Sequence, residues 1–215
     1  MKKYIEVNFL FLTIIVLQLF SCAGTNYKKL SLEDPNALIA IEDSLLSVNK
    51  NNQSISDAIV IANNNVAKKY LNSNELSLAV KHFKKSISVN RNNKDSQYGL
   101  MIAEGRVLIK RGNKNGIWDA IEKFSKASSI FPKKGEPFYW IAVSYTKLGD
   151  TEFDLILESY EKSLSLELDE NIKDEVEENL SLIHISEPTR RRGIGGSGGG
   201  VEKKRGGGGG GGGGG

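Results

Sequence analysis

The stretch AIEKFSKASSIFP, Ala120–Pro132, decides the fold of this chain. Its apolar residues fall on one side of a helix and its charged and hydroxyl residues on the other, a spacing typical of an amphipathic helix packed on a core. Pro132 predicts where the helix ends, because proline has no amide hydrogen to donate and pushes the preceding residue out of the helical conformation.

Similar stretches precede and follow this one. Phe124 corresponds to Phe83, 41 residues earlier in LAVKHFKKSISVNRNN, and to Tyr160, 36 residues later in LILESYEKSLSLELDE. Each copy follows a second amphipathic stretch in which a small residue stands three before a larger one. These pairs are Ala67 with Tyr70, Ala103 with Arg106 and Ala142 with Tyr145. Since the body of the chain has few prolines and no alternating apolar pattern, the sequence predicts an all-α fold of about three helix pairs.

WIAVSYTKLGD and AIEKFSKASSIFP resemble the tetratricopeptide repeat, with its small-x-x-Tyr motif, Leu-Gly turn and closing proline. The resemblance covers about residues 60–169 and implies a tetratricopeptide-like α-solenoid. The departures are the spacings of 41 and 36 where the family has 34, Arg106 in place of an aromatic residue, and Ser86 and Ser163 in place of alanine. LEDPNALIAIEDSLLSVNK is interpreted as a leading helix and NIKDEVEENLSLI as a truncated final helix. The alternative is an unrelated helical bundle.

In this family the first helix of each pair lines a groove that holds a peptide or a partner helix. Carried over position by position, the resemblance implies that the partner-binding groove includes Asn64, Lys68, Glu104, Tyr139 and Lys147. The lysine and asparagine clamp that some members use for a C-terminal carboxylate is not reproduced, so the resemblance does not predict recognition of that group.

The N-terminal region is typical of an exported lipoprotein. Lys2 and Lys3 precede a mostly apolar run of 12 residues, FLFLTIIVLQLF, which is too short to span a bilayer but suits a signal peptide. LFSC, Leu19–Cys22, resembles the lipobox of bacterial lipoproteins, in which the cysteine is acylated. Cys22 is the only cysteine of the chain, so it has no disulfide partner. The alternative is an ordinary signal peptide cleaved nearby.

The C-terminal region holds 16 of the 23 glycines and ends in ten consecutive ones. LIHISEPTR resembles translated sequencing-library adapter, and a run of G in a sequencing read translates to polyglycine, so we interpret this end as an artefact; the alternative is a real flexible tail. The expected organisation is a signal peptide at 1–21, a linker at 22–34, a helical repeat domain at 35–181 and a disordered Gly/Arg-rich tail at 182–215. We expect the natural protein to continue beyond residue 181.

Charge argues against a nucleic-acid partner. The chain carries +3 overall, but residues 22–181 hold 21 basic and 23 acidic side chains, so the surplus lies in the two ends. The sequence predicts no enzyme, cofactor or metal. His82 is the only histidine before the C-terminal tail, and KHFKK favours a surface position for it. No His or Cys pair suits zinc.

The sequence supports three hypotheses about function. The first is a lipid-anchored scaffold that binds a protein or peptide at the periplasmic face of a bacterial outer membrane; Ala23 after the cysteine, with no aspartate there, agrees with that sorting. The second is a lipoprotein that binds glycans or transporter substrates, with Trp118 and Trp140 available for stacking. The third is the repeat portion of a larger cell-wall enzyme.

Overall fold

The computed structural model describes residues 26–49, 51–149 and 153–195, and its regular elements in these ranges are helices. They are α1 (Tyr27–Glu33), α2 (Pro35–Ala40), α3 (Glu42–Val48), α4 (Gln53–Asn72), α5 (Leu76–Val89), α6 (Lys94–Arg111), α7 (Lys114–Ile130), α8 (Glu136–Leu148), α9 (Phe153–Leu164) and α10 (Glu170–Gly195). A single bridge between Lys134 and Glu167 is the only β pairing among these residues. The all-α prediction is confirmed.

The helices pack as consecutive pairs. α4 pairs with α5, α6 with α7 and α8 with α9, and each second helix also packs against the first helix of the next pair. α1–α3 cover the free side of α4, while α10 packs on α8 and α9 as the start of a further pair. This arrangement is a solenoid of three helix pairs with added helices at both ends, as the sequence predicted.

The stack has an inner and an outer side. The first helices α4, α6, α8 and α10 contact one another in succession, whereas the second helices α5, α7 and α9 do not contact one another. Because the first helices are more closely spaced, the stack curves towards them. The inner face is therefore formed by the first helices.

Local sequence explains the helix boundaries. Asn52, Asn93 and Asn113 cap α4, α6 and α7, and each side chain accepts a hydrogen bond from the amide three residues later. Gly112 ends α6 with φ of 74°, a left-handed conformation that favours glycine. α7 ends at Ile130, two residues before Pro132, which confirms the predicted boundary.

The repeated residues form the core. Phe83 and Phe124 are fully buried and Tyr160 nearly so, and Ala67, Ala103 and Ala142 have no exposed surface. The serines that replace alanine are also buried, and their hydroxyls donate to main-chain carbonyls: Ser86 to Val60 at 3.2 Å and Ser163 to Tyr160 at 2.7 Å. A buried serine hydroxyl costs little stability at these two positions because it donates to a main-chain carbonyl of the repeat helices.

Two glycines of α6 provide room for the core phenylalanines. The ring of Phe83 lies against Gly99, and the ring of Phe124 lies against Gly105, where an added Cβ would stand 2.5 Å from two ring atoms. The helix backbone thus approaches each ring more closely than alanine would allow. α6 is therefore seated between α5 and α7 by contacts that the sequence pattern did not reveal.

Further helices lie at both ends of the three pairs. The expected linker at 22–34 contains α1, whose first turn is capped by Asn26 accepting from the Lys29 amide at 3.0 Å. The single leading helix is divided into α2 and α3. At the other end α10 runs from Glu170 to Gly195, and its residues Val176, Leu180 and Ile183 recur at helical spacing and pack in one cluster with residues of α8 and α9.

Candidate partner-binding face

Three side-chain hydrogen bonds join the first helices to one another, and we call the six residues that form them the seam. The Ser96 hydroxyl donates to the Asn64 side-chain oxygen at 2.9 Å, linking α6 to α4. The Tyr98 hydroxyl donates to Glu136 at 2.7 Å, linking α6 to α8, and the Tyr139 hydroxyl donates to Glu175 at 2.7 Å, linking α8 to α10. Burial first, and then the adjacent carboxylates, raise the pKa of both tyrosines, so the hydroxyls stay protonated as donors.

Arg106 lies beside the seam. Its guanidinium group is 4.6 Å above the Trp140 ring of α8 and donates to the Asn74 side chain at 3.2 Å in the turn between α4 and α5. Burial lowers the pKa of this arginine, while Glu136 acts in the opposite direction. Arg106 thus contacts residues of both the first pair and the third, whereas in the sequence it stands out only as a departure from the repeat pattern.

Two of the predicted groove residues are engaged within the chain. Asn64 is buried and, besides accepting from Ser96, donates to Asn93 at 3.3 Å. Tyr139 is buried with its hydroxyl on Glu175. Both lie in the seam and fix the spacing of the first helices.

Two other predicted residues are exposed on first helices. Lys68 lies one turn after Asn64 on α4, and Lys147 lies two turns after Trp140 on α8, so each shares a helix face with a residue that contacts the neighbouring first helix. Lys68 and Lys147 are thus exposed, each on the same helix as a residue that contacts the neighbouring first helix. Whether a partner binds there stays a prediction.

Glu104 forms ion pairs with lysines of the second helices. It accepts from Lys123 of α7 at 2.7 Å and pairs with Lys84 of α5 at 3.1 Å, so it contacts the two second helices that flank α6. Burial alone would raise the pKa of Glu104, but the hydrogen bonds from both lysines lower it on balance. Residues two apart on a helix point about 200° apart, so Glu104 and Arg106 lie on different sides of α6.

A buried polar cluster connects the leading helices to the first pair. Asn63 has no exposed surface and donates to Glu42 of α3 at 2.7 Å, while its oxygen lies 2.9 Å from Nδ1 of His82. Lys85 pairs with Glu42 at 3.2 Å and Asp43 at 2.9 Å. His82 is half-buried and stacks on Tyr70 with ring centroids 5.7 Å apart, so it differs from the surface residue that we predicted.

We expect His82 to make the protein less stable as the pH falls from about 7.5 to 5.5. Burial, assisted by Lys81 and opposed by Glu42, lowers the pKa of His82 in the folded protein. The unfolded chain therefore binds the proton more readily, and stability present above the ordinary histidine pKa of about 6.5 is lost below it.

Urea unfolding of the wild type and of His82→Gln across this pH range measures the effect. The variant is expected to lose the histidine-dependent part of the slope while keeping the part that arises from carboxylates at lower pH. Identical pH profiles for the two proteins would contradict the assignment.

The two tryptophans of the chain differ in exposure. Trp118 of α7 is 43 % exposed and meets Tyr145 edge to face with centroids 6.0 Å apart, whereas Trp140 is half-buried against Phe124. An exposed indole beside a second ring is a surface on which a sugar ring could stack. Trp118 and Trp140 are thus in different environments, and only Trp118 is well exposed.

Cys22 and the predicted signal peptide lie outside the described residues. Within residues 26–49, 51–149 and 153–195, no helix combines the length and apolar character needed to cross a bilayer. The same part of the chain contains no group of three or more His, Cys, Asp and Glu side chains arranged to hold a metal ion. No protein-family model matches the chain, and no curated protein matches it.

Proposed function

We propose that this protein is a lipid-anchored scaffold of the tetratricopeptide type that binds a protein or peptide on its inner face, in a bacterial envelope and at the periplasmic side of the outer membrane. The observation that carries the proposal is the inner face itself. Four first helices contact one another in succession there, and they present Arg106, Lys68 and Lys147 beside a seam of internal hydrogen bonds.

The residues on this face fall into two groups, one that holds the helices together and one that is exposed, and this supports binding. The residues of the seam have partners within the chain and hold the helices at fixed distances. Lys68 and Lys147 are exposed and are not among the buried residues of the core. A rigid backbone that carries exposed charged side chains is suited to recognising an extended peptide or a helix, because little order is lost on binding.

Site-specific photo-crosslinking tests the inner face. We expect p-benzoylphenylalanine at Lys68 or Lys147 to crosslink one envelope protein several-fold more strongly than the same group at Lys81 or Glu161. All four positions are exposed, but Lys81 and Glu161 lie on the second helices α5 and α9. Equal crosslinking at all four, or none at Lys68 and Lys147, would remove the proposal.

The anchor has a separate test. Growth with an alkyne-tagged fatty acid should label the wild type and leave Cys22→Ser unlabelled, with the variant recovered in the soluble periplasmic fraction. Acyl chains contribute about 0.8 kcal/mol per buried CH₂, so more than one chain holds a protein stably on a membrane. Labelling of Cys22→Ser would exclude this cysteine as the acceptor.

Trp118 favours a second candidate, a glycan-binding lipoprotein. Its exposed ring beside Tyr145 offers a stacking surface, and Trp118 is not one of the seam residues. Soluble cell-wall glycans should then change the tryptophan fluorescence of the wild type, and Trp118→Ala should abolish the change. A response that survives Trp118→Ala would rule out this site.

A further inference from the structure

Four exposed cations flank two neighbouring turns of the stack, and we call these four residues the basic edge. They are Lys69, near the end of α4, Lys110 and Arg111, at the end of α6, and Lys114, at the start of α7. Within residues 69–76 and 110–116 the only acidic residue is Glu75, so the two turns together carry a net charge of +3. In the described part of the chain none of the four cations forms an ion pair.

A hydrogen bond places the two turns side by side. The Arg106 side chain donates to Asn74 at 3.2 Å, so the end of α6 lies beside the turn between α4 and α5. Lys110 follows Arg106 by one helical turn, about 6 Å along the axis. The helix dipole favours each cation in the last turn of α4 or α6 individually, and the contact between the turns gathers these cations into one surface.

The net charge changes sign along the stack. The first two helix pairs, residues 53–130, hold 13 basic and 6 acidic side chains, whereas residues 153–183 hold 2 basic and 10 acidic ones. The leading residues 26–49 hold 2 basic and 4 acidic side chains, but two of these acids already pair with Lys85. An anionic surface therefore attracts the first two pairs and repels the far end of the stack.

The lipid anchor proposed for this protein lies near the same edge. Cys22 precedes α1 by five residues, so a bilayer that holds its acyl chains is within about 18 Å of Tyr27. α1 packs on α4, where Asn65 donates to the Ser31 carbonyl at 3.2 Å. Asn65 stands one helical turn before Lys69. The membrane surface is thus within reach of the basic edge.

We propose that the basic edge docks on the anionic surface of the phospholipid bilayer that holds the anchor, with its ammonium and guanidinium groups against headgroup phosphates. The inference rests on the proposed lipid anchor and adds an orientation to it. The first two helix pairs lie next to the bilayer, and the acidic end of the stack points away from it. Each cation near an anionic bilayer adds to the attraction, which falls off within a Debye length of the surface.

Partition of the full-length Cys22→Ser protein onto vesicles tests the basic edge without acyl chains. An edge variant removes three of its charges through Lys69→Gln, Lys110→Gln and Lys114→Gln. A matched control variant removes three exposed charges from the turns at the opposite ends of the helices through Arg91→Gln, Lys94→Gln and Lys133→Gln. Both ends of the chain are the same in all three proteins, so their contribution to binding cancels in the comparison.

On vesicles of phosphatidylcholine mixed with phosphatidylglycerol, the edge variant should bind at least about tenfold more weakly than its parent, and the control variant less than about twofold more weakly. On phosphatidylcholine alone the three proteins should bind alike, and high salt should remove the difference on the mixed vesicles. An equal loss in both variants, or no loss in the edge variant, would overturn the proposal. Edge-dependent binding to poly-glutamate but not to vesicles would also overturn it and assign the edge to an acidic protein.

Hydrogen exchange of the wild type tests the same surface without any substitution. Amides of residues 69–76 and 110–116 should exchange more slowly on vesicles that contain phosphatidylglycerol than on phosphatidylcholine alone, while those of residues 90–94 and 131–135 should not change. The same exchange rates on both kinds of vesicle would count against the edge. Circular dichroism confirms that each variant is folded.

Fatty-acid labelling separates this inference from the proposed function. A wild type that takes up no alkyne-tagged fatty acid, together with edge-dependent binding to anionic vesicles, would remove the anchor and leave the basic edge as a membrane contact. A labelled wild type whose edge variant binds anionic vesicles as well as its parent would do the reverse.

Discussion

Phe124→Ala is expected to lower the free energy of unfolding by about 3–5 kcal/mol. The Phe124 side chain is fully buried, lies against the backbone of Gly105 in α6 and stacks on Trp140 of α8 with centroids 6.2 Å apart. Its loss therefore opens a cavity where two helix pairs meet, and the rigid neighbours cannot fill it. Urea unfolding followed by circular dichroism measures the loss as a lower midpoint at an unchanged slope.

Trp118→Ala is the matched control, because it removes a larger aromatic side chain from the same helix. Trp118 is 43 % exposed and contacts Tyr145 at its edge, so its removal should cost about 1 kcal/mol and create no internal cavity. A comparable loss of stability in the two variants would show that burial of Phe124 does not dominate the stability of the contact between the two helix pairs.

The contact with Gly105 can be isolated by a double-mutant cycle. Gly105→Ala alone should destabilise by about 1–3 kcal/mol, because its Cβ would stand 2.5 Å from the Phe124 ring. In a Phe124→Leu background the same change should cost less, since the smaller side chain can shift aside. Additive losses would mean that the ring and the glycine do not share the space.

Local periodicity predicted which residues would be buried. Phe83, Phe124 and Tyr160 were identified as copies of one position, and all three are core residues. A residue's place on a 3.6-residue period decides whether it faces the core or solvent, and this can be read without knowing the neighbours. For the same reason Pro132 marked the end of α7 correctly.

Periodicity did not predict which neighbour each residue meets. Glu104 and Arg106 stand two residues apart, yet the first meets lysines of α5 and α7 and the second meets Trp140 of α8. Both are polar residues on a half-buried helix, so local sequence carries no signal for which neighbouring helix each side chain meets. That choice depends on how the helices cross, which is also why the close approach at Gly99 and Gly105 was missed.

The leading helices were missed in part for a related reason. The attachment of α3 to the first pair includes a hydrogen bond from Asn63, a polar residue that a hydrophobic pattern does not select for the core. Its two donors reach Glu42 at 2.7 Å and the carbonyl of Ile59 at 3.2 Å, and its oxygen meets His82. Asn63 can be recognised as a core residue only when the positions of its polar partners are known.

Asn63→Leu is therefore expected to destabilise the protein by about 2–4 kcal/mol. The substitution keeps the side-chain size but removes the donor to Glu42, a nearly buried carboxylate, and hydrogen bonds to charged groups contribute about 1.5–3 kcal/mol. His82 loses its Nδ1 partner as well. Urea unfolding measures the total, and hydrogen exchange should show the earliest loss of protection in α3, because α3 is held to α4 through this contact.

The double variant Asn63→Leu with Glu42→Leu decides whether the loss comes from the stranded carboxylate. Replacing both partners by apolar groups of similar shape removes the buried charge together with its donor, so most of the stability should return. Lys85 then keeps Asp43 at 2.9 Å as its partner, which limits the damage to the cation. If the double variant were as unstable as Asn63→Leu, the cost would have to lie in the packing of α3 against α4 rather than in the charge of Glu42.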